Sequence, residues 1–427
     1  MERKQTKIIC TIAGNRCDKE FIRQLVDAGM NVARLNTAHI STDEAETIIT
    51  NIRAVSDRIG ILIDTKGPEV RTCEMKQSIS TVAGDTLRIA GCHVPEVGFK
   101  VNYEGFVPAV PVGSSILIDD GEIQLTVTGK TADELICTAA NDGVIQNRKS
   151  VNVPDIKLDM PALTEKDAAF IDWATRSDGV DFIAHSFVRN RDDVMAIQSI
   201  LDMRKSPIRI IAKIENREGV NHLESILNVA HSIMIARGDL GIEIPAEEVP
   251  IIQKQMIKTC IRRVKPVITA TQMLHSMIDS PRPTRAEVSD VANAIYDGTD
   301  AVMLSGETAY GKYPVEAVQT MADIARNVEA QKPSLSYKLP VVKEEAELMP
   351  RNHLAKSAVT MACSIPARAI ITSTKSGDTA KICASYRGKT PIHALSESAR
   401  TVRELSLTYG IHAEQMEIPH TTDELVR

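Results

Sequence analysis

Lys213 and Glu215 end an apolar, strand-like run, Ile208-Arg-Ile-Ile-Ala-Lys-Ile-Glu215, and their spacing points both side chains the same way from one strand. A helix length later, Ser232-Ile-Met-Ile-Ala-Arg-Gly-Asp239 delivers Arg237, Gly238 and Asp239 at the end of a second such run. One ammonium and two carboxylates where buried strands run out into solvent could hold a hard divalent cation beside a fixed positive charge. That arrangement suits the handling of phosphate or of an enolate. The competing reading is a plain salt-bridge network with Lys213 and Arg237. Gly238-Asp239-Leu240-Gly241 adds backbone amides near a turn or helix start, where an anion could sit.

Positioning these groups requires a framework, and the chain shows its period. Short apolar runs rich in β-formers recur at Lys7–Ile12, Asn31–Asn36, Ile61–Thr65, Asp181–Ser186, Ile208–Glu215, Ser232–Ala236, Pro266–Ala270 and Ala301–Ser305. Helical patterns lie between them: Asp18–Ala28 opens on an acidic cap with Phe21, Leu25 and Ala28 on one face, and Thr284–Tyr296 and Pro314–Ala330 follow. Run ends are spaced as βα units should be, except between residues 65 and 186, where about 90 residues too many are found. The excess, 72–152, holds short strand patterns separated by Gly and Asp turns and reads as a small all-β insert. Without it, the span from the first run to residue 332 is close to the roughly 250 residues of an eight-stranded barrel. The expected fold is therefore α/β, a (β/α)8 TIM barrel with an inserted all-β domain. In such a barrel the C-terminal strand ends face the active-site mouth, and this chain places Arg34, Asn36, Asp64, Thr65, Ser186, Lys213, Glu215, Asp239, Thr271 and Ser305 there.

The expected domains are 1–71 and 153–332 for the barrel, 72–152 for the insert, a charged, proline-punctuated linker at 333–350, and 351–427 as a small C-terminal α/β domain. The last begins with a helix near His353–Ser364 and carries strands near Arg368–Thr372, Pro391–Leu395 and Ala413–Ile418, with a helix expected to start at Thr421. With 427 residues, 43% of them hydrophobic and 25% charged, the composition is that of a soluble globular protein. A net charge of -6 and 3% aromatic residues speak against nucleic acid as a partner. The eight cysteines show no CxxC pair and no zinc-like spacing, which predicts reduced thiols in a cytoplasmic protein, and no run is long enough for a membrane span.

Ordered motifs across the barrel carry a resemblance: Thr6-Lys-Ile-Ile-Cys-Thr-Ile, Ala28-Gly-Met-Asn-Val-Ala-Arg-Leu-Asn36, Asp64-Thr-Lys-Gly-Pro-Glu-Val-Arg71, Asp119-Asp-Gly121, Ala212-Lys-Ile-Glu-Asn216, Ala236-Arg-Gly-Asp-Leu-Gly241, Thr269-Ala-Thr-Gln-Met273, Pro281-Arg-Pro-Thr-Arg-Ala286 and Met303-Leu-Ser-Gly-Glu-Thr308. In this order they resemble the pyruvate kinases. The resemblance implies phosphoryl transfer from phosphoenolpyruvate to ADP, with Mg2+ or Mn2+ on Glu215 and Asp239 and K+ on Asn36, Asp64 and Thr65, Glu69 being the residue type tied to that cation. It implies Lys213 beside the moving phosphoryl group, Arg34 as its clamp, Thr271 near the carbon to be protonated, and the amides of Gly238 and Asp239 with Thr271 on the substrate carboxylate. Arg71, Lys149 and His39 fall on the nucleotide side, the insert acting as a lid. A homotetramer is the family habit, with a dimer as the alternative if one interface is weakened.

Departures from the family pattern are also visible. Asn36-Thr-Ala38-His39 stands where the family reads Asn-x-Ser-His, so a potassium ligand is missing and weaker K+ binding is expected; Thr37 should point to the other face. Ser150 and Asp155 replace hinge glycines, and Thr11-Ile-Ala-Gly-Asn-Arg16 differs from the family loop. Thr374-Lys-Ser-Gly-Asp-Thr379 resembles a sugar-phosphate cradle, but Asp378 puts a negative charge where arginine is common, and the C-terminal domain reads as shortened. No activation by a sugar bisphosphate is expected. Two rival readings fit the sequence as well, a non-catalytic paralogue that senses phosphoenolpyruvate or nucleotide and a barrel lyase or aldolase.

Overall fold

The structure is a computed structural model that describes residues 4–91, 98–331 and 350–417. Eight parallel strands close into a barrel: β1 (Lys7–Thr11), β2 (Val32–Asn36), β3 (Gly60–Asp64), β4 (Phe182–His185), β5 (Arg209–Ile214), β6 (Ser232–Ala236), β7 (Val267–Ala270) and β8 (Ala301–Leu304). Each coincides with an apolar run in the sequence. The runs are nearly continuous in apolar residues because both faces of such a strand are buried, one by the barrel interior and one by the surrounding helices.

Alternation along the strands decides what reaches the mouth. Ile9, Val32, Leu62, Ala184, Ile211, Met234 and Ala301 fill the interior. Two residues further on in the same phase stand Arg34, Asp64, Ser186 and Lys213, and one more step gives Asn36 and Glu215. Parallel register sets Asn36 of β2 opposite Asp64 of β3. β6 stops at Ala236, and Arg237–Glu243 is a helix. Asp239 is thus presented by the first turn of a helix and not by a strand end.

The helices begin where local chemistry can satisfy their free amides. Asp18 accepts from the amide of Phe21 ahead of Lys19–Ala28, and Thr284 with Glu287 forms a reciprocal cap for Arg285–Asp297. Between β3 and β4 the insert contributes a seven-stranded sheet and a two-stranded one with an apolar core of their own. The C-terminal region has a parallel sheet of β9 (Ile370–Ser373), β10 (Ile392–Ser396) and β11 (Ile411–Gln415), with helices Pro350–Ser364, Asp378–Ser385 and Ala399–Leu405. The helix after Thr374-Lys-Ser-Gly-Asp-Thr379 starts behind left-handed Gly377, without a side-chain cap. The expected linker, apart from Pro350, and the helix expected from Thr421 lie outside the described residues.

The C-terminal region is docked on the barrel's N-terminal end. Leu407 joins the barrel-interior cluster, and a Cβ on Gly60 would meet Ser406 Oγ at 2.6 Å. Two buried carboxylates mark the same junction: Asp181 receives Arg403 at 2.7 Å and Arg53 at 3.1 Å, and Asp300 receives Arg387 at 2.6 Å.

Candidate active site

A cavity of about 700 Å3 opens at the C-terminal mouth of the barrel under the insert. Arg34, Asn36, Asp64, Thr65, Lys213, Glu215 and Asp239 line it, as do Glu69, Arg71 and His39. The structure therefore gathers most of the residues singled out by the sequence around one space. Thr271 and Gly238 sit apart from its lining, bonded to each other, and Lys149 is held inside the insert by Asp119 at 2.7 Å.

Lys213 is the centre of the polar cluster. Its ammonium lies 3.0 Å from Glu215 Oε1 and 3.2 Å from Asp64 Oδ1, and it donates to Ser186 Oγ at 2.7 Å. Burial alone would lower its pKa, but Asp64, Glu215 and Asp239 outweigh that effect and hold the ammonium above its ordinary range. Lys213 stays charged. Ser186 passes the contact on by donating to the Thr65 carbonyl at 2.6 Å, so the ammonium is fixed by a hydroxyl that is itself fixed. Arg34 donates to Asp64 Oδ2 at 2.6 Å and to Thr11 Oγ1 at 2.9 Å, which leaves its guanidinium at the edge of the cavity.

Glu215 and Asp239 are two carboxylates in one buried place. Burial pushes Glu215 up to about 8 despite the opposing pull of Lys213, and burial raises Asp239 as well. Glu215 Oε2 accepts the amide of Phe187 at 2.6 Å, whereas Oε1 has no hydrogen-bond partner although Lys213 is close. A buried carboxylate oxygen whose one close partner is the Lys213 ammonium, beside a second carboxylate, suits a hard divalent cation. Among the described residues no group of three or more His, Cys, Asp or Glu side chains is arranged to enclose one. The pair is an open set of donors, which suits an ion that keeps water and substrate oxygens in its shell.

The supporting contacts were invisible in residue types. Arg237 turns away from Lys213 and donates to Asp290 at 2.8 Å and to the Thr271 carbonyl at 2.7 Å. It staples the end of β7 to the helix after β6. Thr271 has φ 66° and Gln272 φ 51°, both left-handed, and a β-branched residue there is strained. Its hydroxyl accepts the amide of Gly238 at 2.7 Å, so that amide and hydroxyl satisfy each other in this arrangement. Phe187, also left-handed at φ 56°, aims its amide at Glu215.

On the other side of the cavity, the Thr37 hydroxyl donates to the Asp64 carbonyl at 3.0 Å and is buried, but β2 ends at Asn36 and residues 37–39 form a turn, not the extended segment expected. Asn36 Oδ1 accepts the amide of Ala38 at 3.1 Å, and the Ala38 carbonyl faces Lys166 Nζ at 3.5 Å. Arg71 is held by Glu69 at 2.8 Å and donates to the Arg148 carbonyl at 2.6 Å, which ties the two crossings between barrel and insert together.

A (β/α)8 barrel with a β insert at its mouth, and an arginine-edged cavity there that gathers a charged lysine and several carboxylates, is the architecture of a barrel enzyme. Residues 3–318 match the family profile described as pyruvate kinase, barrel domain, and residues 352–427 match that described as pyruvate kinase, alpha/beta domain. The chain is 50% identical over 412 residues to a pyruvate kinase of Borreliella burgdorferi, covering 96% of this chain and 86% of that protein. It is 47% identical to a pyruvate kinase of Geobacillus stearothermophilus, covering 99% of this chain and 74% of that one. The crystal structure of a pyruvate kinase from Cryptosporidium parvum superimposes with a TM-score of 0.94 at 37% identity, covering 99% of this chain and 89% of that one. The chain belongs to the pyruvate kinase family.

Proposed function

We propose that this chain transfers the phosphoryl group of phosphoenolpyruvate to ADP, giving pyruvate and ATP. The observation that carries this reading is Lys213, largely shielded at the barrel mouth and kept charged by Asp64 and Glu215. A fixed ammonium there stabilises the charge spread over the oxygens of a transferring phosphoryl group. Arg34 clamps the same group from the β2 side. Thr271 orients the proton donor for the enolate, and its bond to Gly238 must open for that amide to reach the substrate carboxylate.

The family's dependence on a divalent and a monovalent cation is expected here too. Glu215 and Asp239 would hold Mg2+ or Mn2+, which when bound would supply Lewis acidity toward the oxygens of an anionic substrate. Asn36, Asp64 and Thr65 would hold K+ with one donor fewer than usual, since Ala38 offers no side-chain oxygen. Residues 72–152 act as a lid on a barrel of 1–71 and 153–332, Arg71 and His39 facing the nucleotide and Lys149 reaching it after leaving Asp119; a linker at 333–350 leads to the C-terminal domain at 351–427. Closure excludes water that would hydrolyse the donor. We place the protein in the cytoplasm as a homo-oligomer, a tetramer or a dimer, and the free thiols of Cys10, Cys17, Cys137, Cys260 and Cys383 fit a reducing compartment; no helix of the described residues is long and apolar enough to cross a membrane. Incubation with phosphoenolpyruvate, ADP, Mg2+ and K+ should yield ATP and pyruvate in equal amounts. Retained substrate binding without any ATP, at every metal concentration, would instead mark a sensor.

A further inference from the structure

A second cavity, of about 500 Å3, lies between the segment by which the insert returns to the barrel and the loops after β4, β5 and β6. It shares Glu69, Phe187 and Asp239 with the mouth cavity and otherwise has its own lining. One part of that lining is apolar, with Val70, Val153, Ile156, Leu158, Met160 and Phe187; Glu243, Asn152, Asn216 and Asn221 supply polar groups, and Asp120, Glu69 and Asp239 add carboxylates on the side toward the mouth cavity.

The charges around it are unevenly matched. Arg189 faces Asp193 at 2.9 Å, Arg217 faces Glu248 at 3.0 Å and Asp155 at 3.6 Å, and Lys157 faces Glu218 at 3.5 Å. Among the described residues Glu243 has no cation at ion-pair distance, and its contact is the Asn152 amide donating at 3.4 Å. Burial pushes its carboxyl up to about 7, with Asp155 adding to the rise and the Asn152 amide and the more distant Arg217, itself paired with Glu248, pulling the other way.

We propose that this cavity binds a small organic cation with an apolar body, its ammonium on Glu243 and its body on the side chains of Val153, Leu158 and Phe187. An anion would meet cations that carboxylates already occupy. A wholly apolar ligand would bury Glu243 further without pairing it, which is unfavourable. An ammonium joined to an apolar group satisfies both parts of the lining, as small-molecule sites generally combine apolar area with a few placed polar groups. Its occupant touches both the returning insert segment and the helix Arg237–Glu243, so it bridges lid and barrel.

The test is calorimetric titration of the full chain, with Mg2+ present, by tryptamine and by its uncharged alcohol counterpart tryptophol. Tryptamine should bind saturably at one site per chain, and tryptophol about tenfold more weakly or less, the charge-assisted contact being lost. In Glu243→Gln tryptamine should fall to the level of tryptophol, while tryptophol is unchanged. Equal affinities on the wild-type chain, no saturable tryptamine binding, or tryptamine unaffected by Glu243→Gln would each overturn the proposal. Should that variant fail to fold, the comparison of the two ligands on the wild-type chain decides alone. Binding is read directly, so failure here leaves the phosphoryl-transfer reading standing.

Discussion

Ser186 shows how much of this site rests on single atoms that do no chemistry themselves. Its hydroxyl receives Lys213 and donates to the Thr65 carbonyl, so it sets where the ammonium stands. Ser186→Ala should lower kcat about tenfold or more, as loss of a supporting contact generally does, while Ser186→Thr should recover part of it if the hydroxyl can be kept in place. A steady-state comparison with unchanged kcat in both variants would remove Ser186 from the account. At Ala38 the expected gain runs the other way: Ala38→Ser restores a side-chain oxygen to the set of Asn36, Asp64 and Thr65, and should reduce the K+ needed for half-maximal activity about tenfold. An unaltered K+ titration would mean that another group, such as the approaching Lys166, has made the position irrelevant. Lys213, Glu215 and Asp64 were legible because a charged residue in phase on an apolar strand is conspicuous. Phe187, Arg237 and the left-handed turn at Thr271 were not, because their work is done through backbone amides, a carbonyl and a distant Asp290, none of which a residue type announces.

Among the elements, β4 carries a pH-sensitive weakness. His185 follows Ile183 in phase, on the strand face turned to the helices, and neither of its ring nitrogens has a hydrogen-bond partner. Burial lowers its pKa from 6.5 to about 4. Between those values the unfolded chain binds a proton that the folded chain does not, so stability falls as pH drops from about 6.5 to 4, by about 3 kcal/mol for this one group. Denaturant melts of wild type and His185→Leu across that range should diverge from each other at low pH, the variant losing less. Parallel curves would contradict the assignment. The segment by which the insert returns to the barrel presents a closer balance. Asp155 occupies φ 62° where a glycine would be at ease, yet Asp tolerates this region better than most, its ion pair with Arg217 is long and exposed, and a glycine would loosen the unfolded chain. These terms oppose one another, so Asp155→Gly should change stability by less than about 1 kcal/mol. A larger loss in the same melts would show that the Arg217 contact holds this segment in place. The eight strands themselves were legible from their apolar runs, and the one long interval between them exposed the insert, because βα units have a narrow range of lengths.

For the whole molecule, the C-terminal region is part of the barrel's packing. Leu407 reaches the barrel interior from a region that follows the last barrel strand by about 100 residues, and no local pattern marks it as core for another unit. Leu407→Ala should cost about 2–5 kcal/mol, and Arg387→Ala about 3–5 kcal/mol by leaving Asp300 buried without its partner. Chemical denaturation followed through a barrel probe and a C-terminal probe should show both variants shifted at both probes. A shift confined to the C-terminal probe would mean that the two units are energetically separate. At the barrel mouth, the fixed charge of Lys213 is proposed to stabilise a moving phosphoryl group. That role is tested most directly by ATP formation from phosphoenolpyruvate and ADP in wild type and Lys213→Gln, with substrate affinity measured separately on each. The expected result is a kcat lower by about 10³-fold in the variant with phosphoenolpyruvate still bound; a variant within tenfold of wild type would contradict it.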